Sequence, residues 1–150
     1  VNIPSWIVNW LKEVFSPKAE KFESNEKIFI DRSDSKFNHC QIINDEEVSK
    51  YLISKGFTKY KVGQLPFKQQ IHLFHNAKII IGPHGAAFAN LVFCKPQTKV
   101  IEFKPFNHPT VVNKRISEIN NLNYRLIEGP DIKNEKGDVL IDLNMLKKII

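Results

Sequence analysis

His84 stands in the turn Gly82-Pro83-His84-Gly85-Ala86, directly after the apolar run Ile79-Ile80-Ile81. Three successive isoleucines suit a strand buried on both faces of a parallel sheet, and glycine and proline then stop it. The small residues Gly85-Ala86-Ala87 restart the chain as a helix, expected from Ala86 to Phe93. A strand that feeds a helix through a tight turn presents unpaired backbone N–H groups, a natural seat for a phosphate. An imidazole in that turn reaches whatever the backbone holds, either as a contact or as a base, and contact is the favoured role. Arg32 is the second such residue. It follows Ile28-Phe29-Ile30-Asp31, and its planar guanidinium matches phosphate oxygens.

Other polar residues have two uses each. Asn44 and Glu47 form a capping box at a helix start or reach a ligand. Gln70 faces solvent or the site. Glu102, near the end of Lys99-Val100-Ile101-Glu102-Phe103, holds ribose or sugar hydroxyls or pairs with a basic neighbour. Asp31-Arg32-Ser33-Asp34 is too loose for an Asp-x-Asp metal motif, so metal-independent chemistry with no cofactor is expected.

Alternating strands and helices must position these groups. Lys27–Asp31 reads as the first strand and Arg32–His39 as a loop. A helix capped by Asn44 follows, with Val48, Tyr51 and Leu52 as its buried stripe and Gly56 just past its end. Lys59–Val62 is a second strand. Pro66 opens a helix with Phe67, Gln70, Ile71 and Phe74 on one face. Beyond the isoleucine strand come a strand at Lys99–Phe103, a helix at Thr110–Asn120, a strand at Tyr124–Ile127 and a last helix capped by Asp142. Short connections and strict alternation predict an α/β fold, a parallel sheet with helices on both faces. Ligands in such sheets bind outside the carboxyl ends of the strands, where Arg32, His84 and the residues after Phe103 fall. Ahead of this, Ser5 is expected to cap a short helix with Trp6, Trp10, Leu11, Val14 and Phe15 on one side. That helix is expected to pack on the domain or on a missing neighbour, with a membrane-surface helix as the alternative. The chain thus divides into a helix and linker, residues 1–26, and a domain, residues 27–150.

With 150 residues the chain can bury a core without staples. The net charge of +6 suits an anionic ligand or a lysine-rich surface. No block of five or six like charges and no nucleic-acid signature occurs, which argues against a nucleic-acid partner. Cys40 and Cys94 form no disulfide framework or metal spacing, and no Asn-x-Ser/Thr signal is present. Both point to a cytoplasmic setting. A start at Val1 suggests a piece of a longer chain, and any membrane association would come through that parent.

The ordered set of segments resembles glycosyltransferase family 61. It comprises Ile28-Phe29-Ile30-Asp31-Arg32, Ile43-Asn44-Asp45-Glu46-Glu47, Gly56-Phe57 and Leu65-Pro66-Phe67-Lys68-Gln69-Gln70-Ile71-His72-Leu73-Phe74. It continues through Ile81-Gly82-Pro83-His84-Gly85-Ala86-Ala87, Asn90-Leu91-Val92-Phe93 and Val100-Ile101-Glu102-Phe103. The resemblance is good over residues 27–104. It implies one half of a GT-B enzyme, the C-terminal, Rossmann-like half that binds the donor. It also implies inverting transfer of a sugar from a nucleoside-diphosphate sugar to an acceptor hydroxyl in polysaccharide or glycan biosynthesis. Arg32, Asn44, Glu47, Phe67, Gln70, His84, Gly85, Asn90 and Glu102 match recurring positions of the family. Arg32, with the helix start at Gly85-Ala86, is expected to hold the diphosphate, and Arg32 and His84 to be the catalytic pair. The acceptor side, with its base, would belong to the other, N-terminal half of the parent. Asp31 stands where serine is usual, and it can pair with Arg32. Asp45, Pro66 and Gln69 are milder departures. A non-catalytic nucleotide- or protein-binding module on the same frame is the alternative, since fold does not fix function.

Overall fold

The isoleucine run forms β3 (Ile79–Pro83), the central strand of a five-stranded, all-parallel sheet. The computed structural model describes residues 3–34, 39–132 and 136–150. Part of the expected Arg32–His39 loop, residues 35–38, therefore lies outside the described residues. The other strands are β1 (Lys27–Ile30), β2 (Thr58–Tyr60), β4 (Lys99–Lys104) and β5 (Asn123–Glu128). Their order is β2-β1-β3-β4-β5. The chain winds outward from β1 to β2, then returns across β1 to β3 and continues the other way. The order reverses between β1 and β3, and a crevice at their carboxyl ends is the usual ligand site of such sheets.

Strand alternation sends side chains to two cores. Ile28, Ile30, Ile80 and Val100 meet Val8, Ile71, Phe74, Phe88, Leu91 and Ile116 on one face. Phe29, Ile81, Ile101, Phe103 and Ile127 meet Val48, Leu52 and Leu146 on the other. Each large side chain buried this way contributes about 1.5–3 kcal/mol. The fold is the expected Rossmann-like α/β sheet covered on both faces. The covering helices are α1 (Ser5–Phe15), α2 (Asp45–Ser54), α3 (Phe67–Asn76), α4 (Val112–Ile119) and α5 (Leu143–Ile149). Among the described residues no helix is long and apolar enough to cross a membrane.

Local signals set several ends. Gly56, at φ 83°, closes α2: its N–H meets Ile53 O at 2.9 Å, and the Phe57 N–H meets Leu52 O at 3.1 Å. That pair of bonds needs a left-handed residue, which glycine adopts without cost. Asp142 Oδ1 caps α5 by accepting from Asn144 N at 2.8 Å. Pro66, by contrast, has ψ 142° and precedes α3 as its cap rather than opening it.

Three expectations change. α1 does not bury its tryptophans. With 3.6 residues per turn, Trp6 and Trp10 lie on the far side from Val8, Leu11 and Phe15, and they are 67% and 52% exposed. Pro4, not Ser5, stands at the cap, and Val8 docks the helix in the main core. Residues Ala86–Phe93 form a 3₁₀ segment rather than an α-helix. Asn90 Nδ2 takes the Ala87 carbonyl at 3.1 Å, the kind of local bond that competes with an α-helical ladder. Asn120 Nδ2 then satisfies the carbonyls of Leu91 and Val92 at 2.9 Å each, which settles the buried end of that segment. Asn44, finally, makes no side-chain cap on α2. Its amide pairs with the Ile141 backbone in both directions, at 2.9 and 3.0 Å.

Candidate functional site

Arg32 leaves the end of β1 and His84 the end of β3, so the reversal point of the sheet brings them together. The Arg32 guanidinium donates from Nη1 to the His84 carbonyl. It lies directly over Gly85, where a methyl group would overlap it. Gly85 has φ 167°, extended backbone open to any residue, so the guanidinium itself is what requires glycine. Gly85→Ala is therefore expected to displace Arg32 and weaken anion binding about tenfold, the loss of one charge-assisted contact. Unfolding should shift little, and parallel binding and melting measurements check both.

Both residues line one hollow of about 890 Å³, together with Gly85, Ala86, His108 and Asn113. His39 and Lys136 stand on its wall as well. The hollow therefore gathers an arginine, a lysine and three histidines at the carboxyl edge of the sheet. The His84 N–H continues the β3–β4 ladder by donating to Phe103 O at 2.8 Å, which sets the ring beside β4. The His84 and His108 rings lie 4.2 Å apart between centroids. Burial, then the nearby His84 and Lys104, lowers the pKa of His108.

Glu102 lies behind His84. It shares the β4 face of Val100 and is fully buried. His84 Nδ1 sits 2.5 Å from its Oε1, and Asn113 Nδ2 donates to the same oxygen at 2.6 Å. The Tyr124 hydroxyl donates to Oε2, and Lys104 Nζ is 4.0 Å from it. Burial alone would raise the pKa of this carboxyl. Hydrogen bonds from His84, Tyr124 and Asn113, with the Lys104 charge, outweigh it and hold the pKa below the ordinary carboxylate value. Tyr124 moves the other way, raised by burial and by the same carboxylate. Both Glu102 oxygens are thus engaged inside the protein, and the residue lines neither hollow. The expectation that it holds sugar hydroxyls gives way to an internal role.

A smaller hollow of about 320 Å³ adjoins the first across Arg32 and Ala86. Gln70 and Asn90 line it, with Asp31 and Asp34. Gln70 is thus at the site edge rather than in open solvent: its Oε1 accepts from Asn90 Nδ2 at 3.0 Å, and its Nε2 donates to Leu65 O at 2.9 Å. The Asp31 carboxylate accepts from the Ser33 N–H at 2.8 Å. Asn44 and Glu47 line neither hollow. Asn44 is committed to Ile141, and Glu47 is exposed on α2 with its Oε2 3.3 Å from Asn44 Nδ2. Neither the ligand use nor the side-chain cap is made by Asn44, whose amide ties α2 to the Ile141 backbone. Phe67 is also remote, packed edge-on against Phe15 and Phe93.

Sequence reasoning singled out Arg32, His84, Gly85 and Ala86, which share the larger hollow, and Gln70 and Asn90, which share the smaller. It did not single out Lys104, His108, Asn113 or Tyr124. The usable signal for His108 was its place just after the β4 strand, at the sheet edge where ligands bind. Among the described residues, no group of three or more His, Cys, Asp or Glu side chains is arranged to hold a metal ion.

A Rossmann-like parallel sheet with an arginine, a lysine and three histidines around a hollow at its carboxyl edge defines the class: an α/β protein whose crevice lies where ligands of such sheets bind. The model of the glycosyltransferase 61 family matches residues 2–101. The chain belongs to that family, a family of glycosyltransferases. The match starts at residue 2 and so takes in α1, well ahead of the stretch from residue 27 where the resemblance was evident. No curated protein sequence matches the chain.

Proposed function

We propose that this chain is the donor-binding part of an inverting, metal-independent glycosyltransferase of GT-B architecture, acting in polysaccharide or glycan biosynthesis. The substrate is a nucleoside-diphosphate sugar. Its diphosphate lies in the larger hollow against Arg32, His84 and the backbone N–H groups at Gly85-Ala86. The observation that carries this reading is the Arg32 guanidinium seated on Gly85 and bonded to the His84 carbonyl, which joins the two residues into one anion-facing wall. Charge on the departing diphosphate is neutralised there by fixed donors. The basic side chains lining the hollow supply what a metal would otherwise provide, and Glu102, the carboxylate behind His84, has both oxygens engaged inside the protein. The acceptor glycan and the base that takes its hydroxyl proton belong to a second Rossmann-like unit across the cleft.

Melting with nucleoside diphosphates tests this. A ligand at about 100 times its dissociation constant adds about 2.7 kcal/mol. For a chain of this size that raises the melting temperature by roughly 5–10 °C. The rise should persist with a chelator present. No shift with uridine, guanosine, cytidine or adenosine diphosphate at millimolar levels would overturn the reading.

A further inference from the structure

We propose that His84 meets the donor diphosphate as the imidazolium, its charge held between the Glu102 carboxylate behind the ring and the diphosphate in front, with Glu102 as the positioning residue. The inference rests on the reading of the larger hollow as the diphosphate site.

Glu102 is surrounded by donors. Tyr124, Asn113 and Lys104 all direct hydrogens or positive charge at it, and His84 Nδ1 is 2.5 Å from Oε1. An ionised carboxylate only accepts, so Nδ1 must carry its hydrogen. The tautomer is thereby fixed, and Nε2 is the nitrogen left for a ligand. In the neutral ring Nε2 is a lone-pair acceptor and repels a phosphate oxygen. In the protonated ring it is a donor. The His84 side chain is 16% exposed, enough to meet a ligand in the hollow it lines.

Groups from the neighbouring elements surround this ring or the Glu102 carboxylate behind it. Arg32 comes from the end of β1, Lys104 from β4, His108 from the loop after it, Asn113 from α4 and Tyr124 from β5, with His39 and Lys136 further along the wall. A bound diphosphate adds negative charge in front of the ring and leaves the Glu102 carboxylate in place behind it. Binding therefore draws a proton onto the ring, and affinity rises as pH falls through the bound-state titration. The same Nε2–H is then in position to share the charge that grows on the leaving diphosphate.

The experiment is titration calorimetry with uridine diphosphate, or whichever nucleoside diphosphate gives the largest melting shift. It is run near pH 8, where the nucleotide is fully ionised, in buffers of different protonation enthalpy. The slope counts protons taken up. Wild type should take up a substantial fraction of about one proton per nucleotide. His84→Asn should abolish the uptake, and Glu102→Gln should remove most of it and weaken binding about tenfold. His108→Asn should leave uptake in place. If Glu102→Gln does not melt as a folded protein, the His84→Asn and His108→Asn pair decides alone. Binding without proton uptake overturns the inference and leaves the diphosphate reading standing. Uptake that survives in His84→Asn, or that is undiminished in folded Glu102→Gln, also overturns it, as does uptake that disappears in His108→Asn. No binding by wild type overturns the diphosphate reading itself.

Discussion

Arg32→Ala is expected to lower nucleoside diphosphate affinity about a hundredfold and to erase the melting shift, with little change in the stability of the free protein. The guanidinium is the strongest fixed donor in the larger hollow, and hydrogen bonds to charged groups are worth about 1.5–3 kcal/mol each. Two such bonds to a diphosphate account for the loss. In the free protein the substitution removes the part-buried bond to the His84 carbonyl, a neutral acceptor beside the hollow. Arg32→Lys should recover only part of the affinity. A point charge can reach one phosphate oxygen but cannot fork across two. Titration calorimetry and melting of the three proteins check this. An unchanged affinity in Arg32→Ala would place the anion elsewhere.

Glu102→Leu should cost the fold about 3–5 kcal/mol, a melting temperature lower by about 10 °C or more. The substitution leaves the Tyr124 hydroxyl, the Asn113 amide and the Lys104 ammonium facing an apolar group in a fully buried place. The sign with pH follows from the lowered pKa of Glu102. A carboxyl whose pKa drops on folding stabilises the protein above its unfolded value, ordinarily 4.5, and loses that contribution as pH falls through the folded value. Wild type should therefore lose stability on acidification below the ordinary carboxylate range. Glu102→Gln should show a shallower fall over the same window. Urea unfolding from neutral pH downward checks both statements.

The parts of the fold that were legible are those set by short stretches of chain. Three isoleucines before Gly82-Pro83 form the central strand. Gly56 ends α2 because its left-handed backbone is a local demand, and Asp142 caps α5 within three residues of itself. The meeting of Arg32 and His84 was also legible, because an arginine and a histidine each follow an apolar strand, and parallel strands put both at one edge. What stayed hidden depends on partners far along the chain. Asn44 reads as a cap, but Ile141, 97 residues away, takes its amide. Glu102 reads as a ligand contact until Asn113 and Tyr124, 11 and 22 residues downstream, are seen to occupy its oxygens. In α1 the apolar residues run right round the helix, so composition does not reveal that Val8 rather than the tryptophans faces the core. The 3₁₀ form of Ala86–Phe93 depends on side-chain amides of Asn90 and Asn120 that no helix propensity registers.

The central claim is a place: a nucleoside diphosphate sits between the Arg32 guanidinium and the turn at His84. Backbone amide NMR of the free chain and of the chain titrated with a nucleoside diphosphate reads that place residue by residue. The account predicts that the largest saturable shifts fall on Arg32, His84, Gly85 and Ala86, with smaller ones at His108. Shifts centred away from these residues, such as around Glu23–Glu26 and Thr58, or none at millimolar nucleotide, would contradict it.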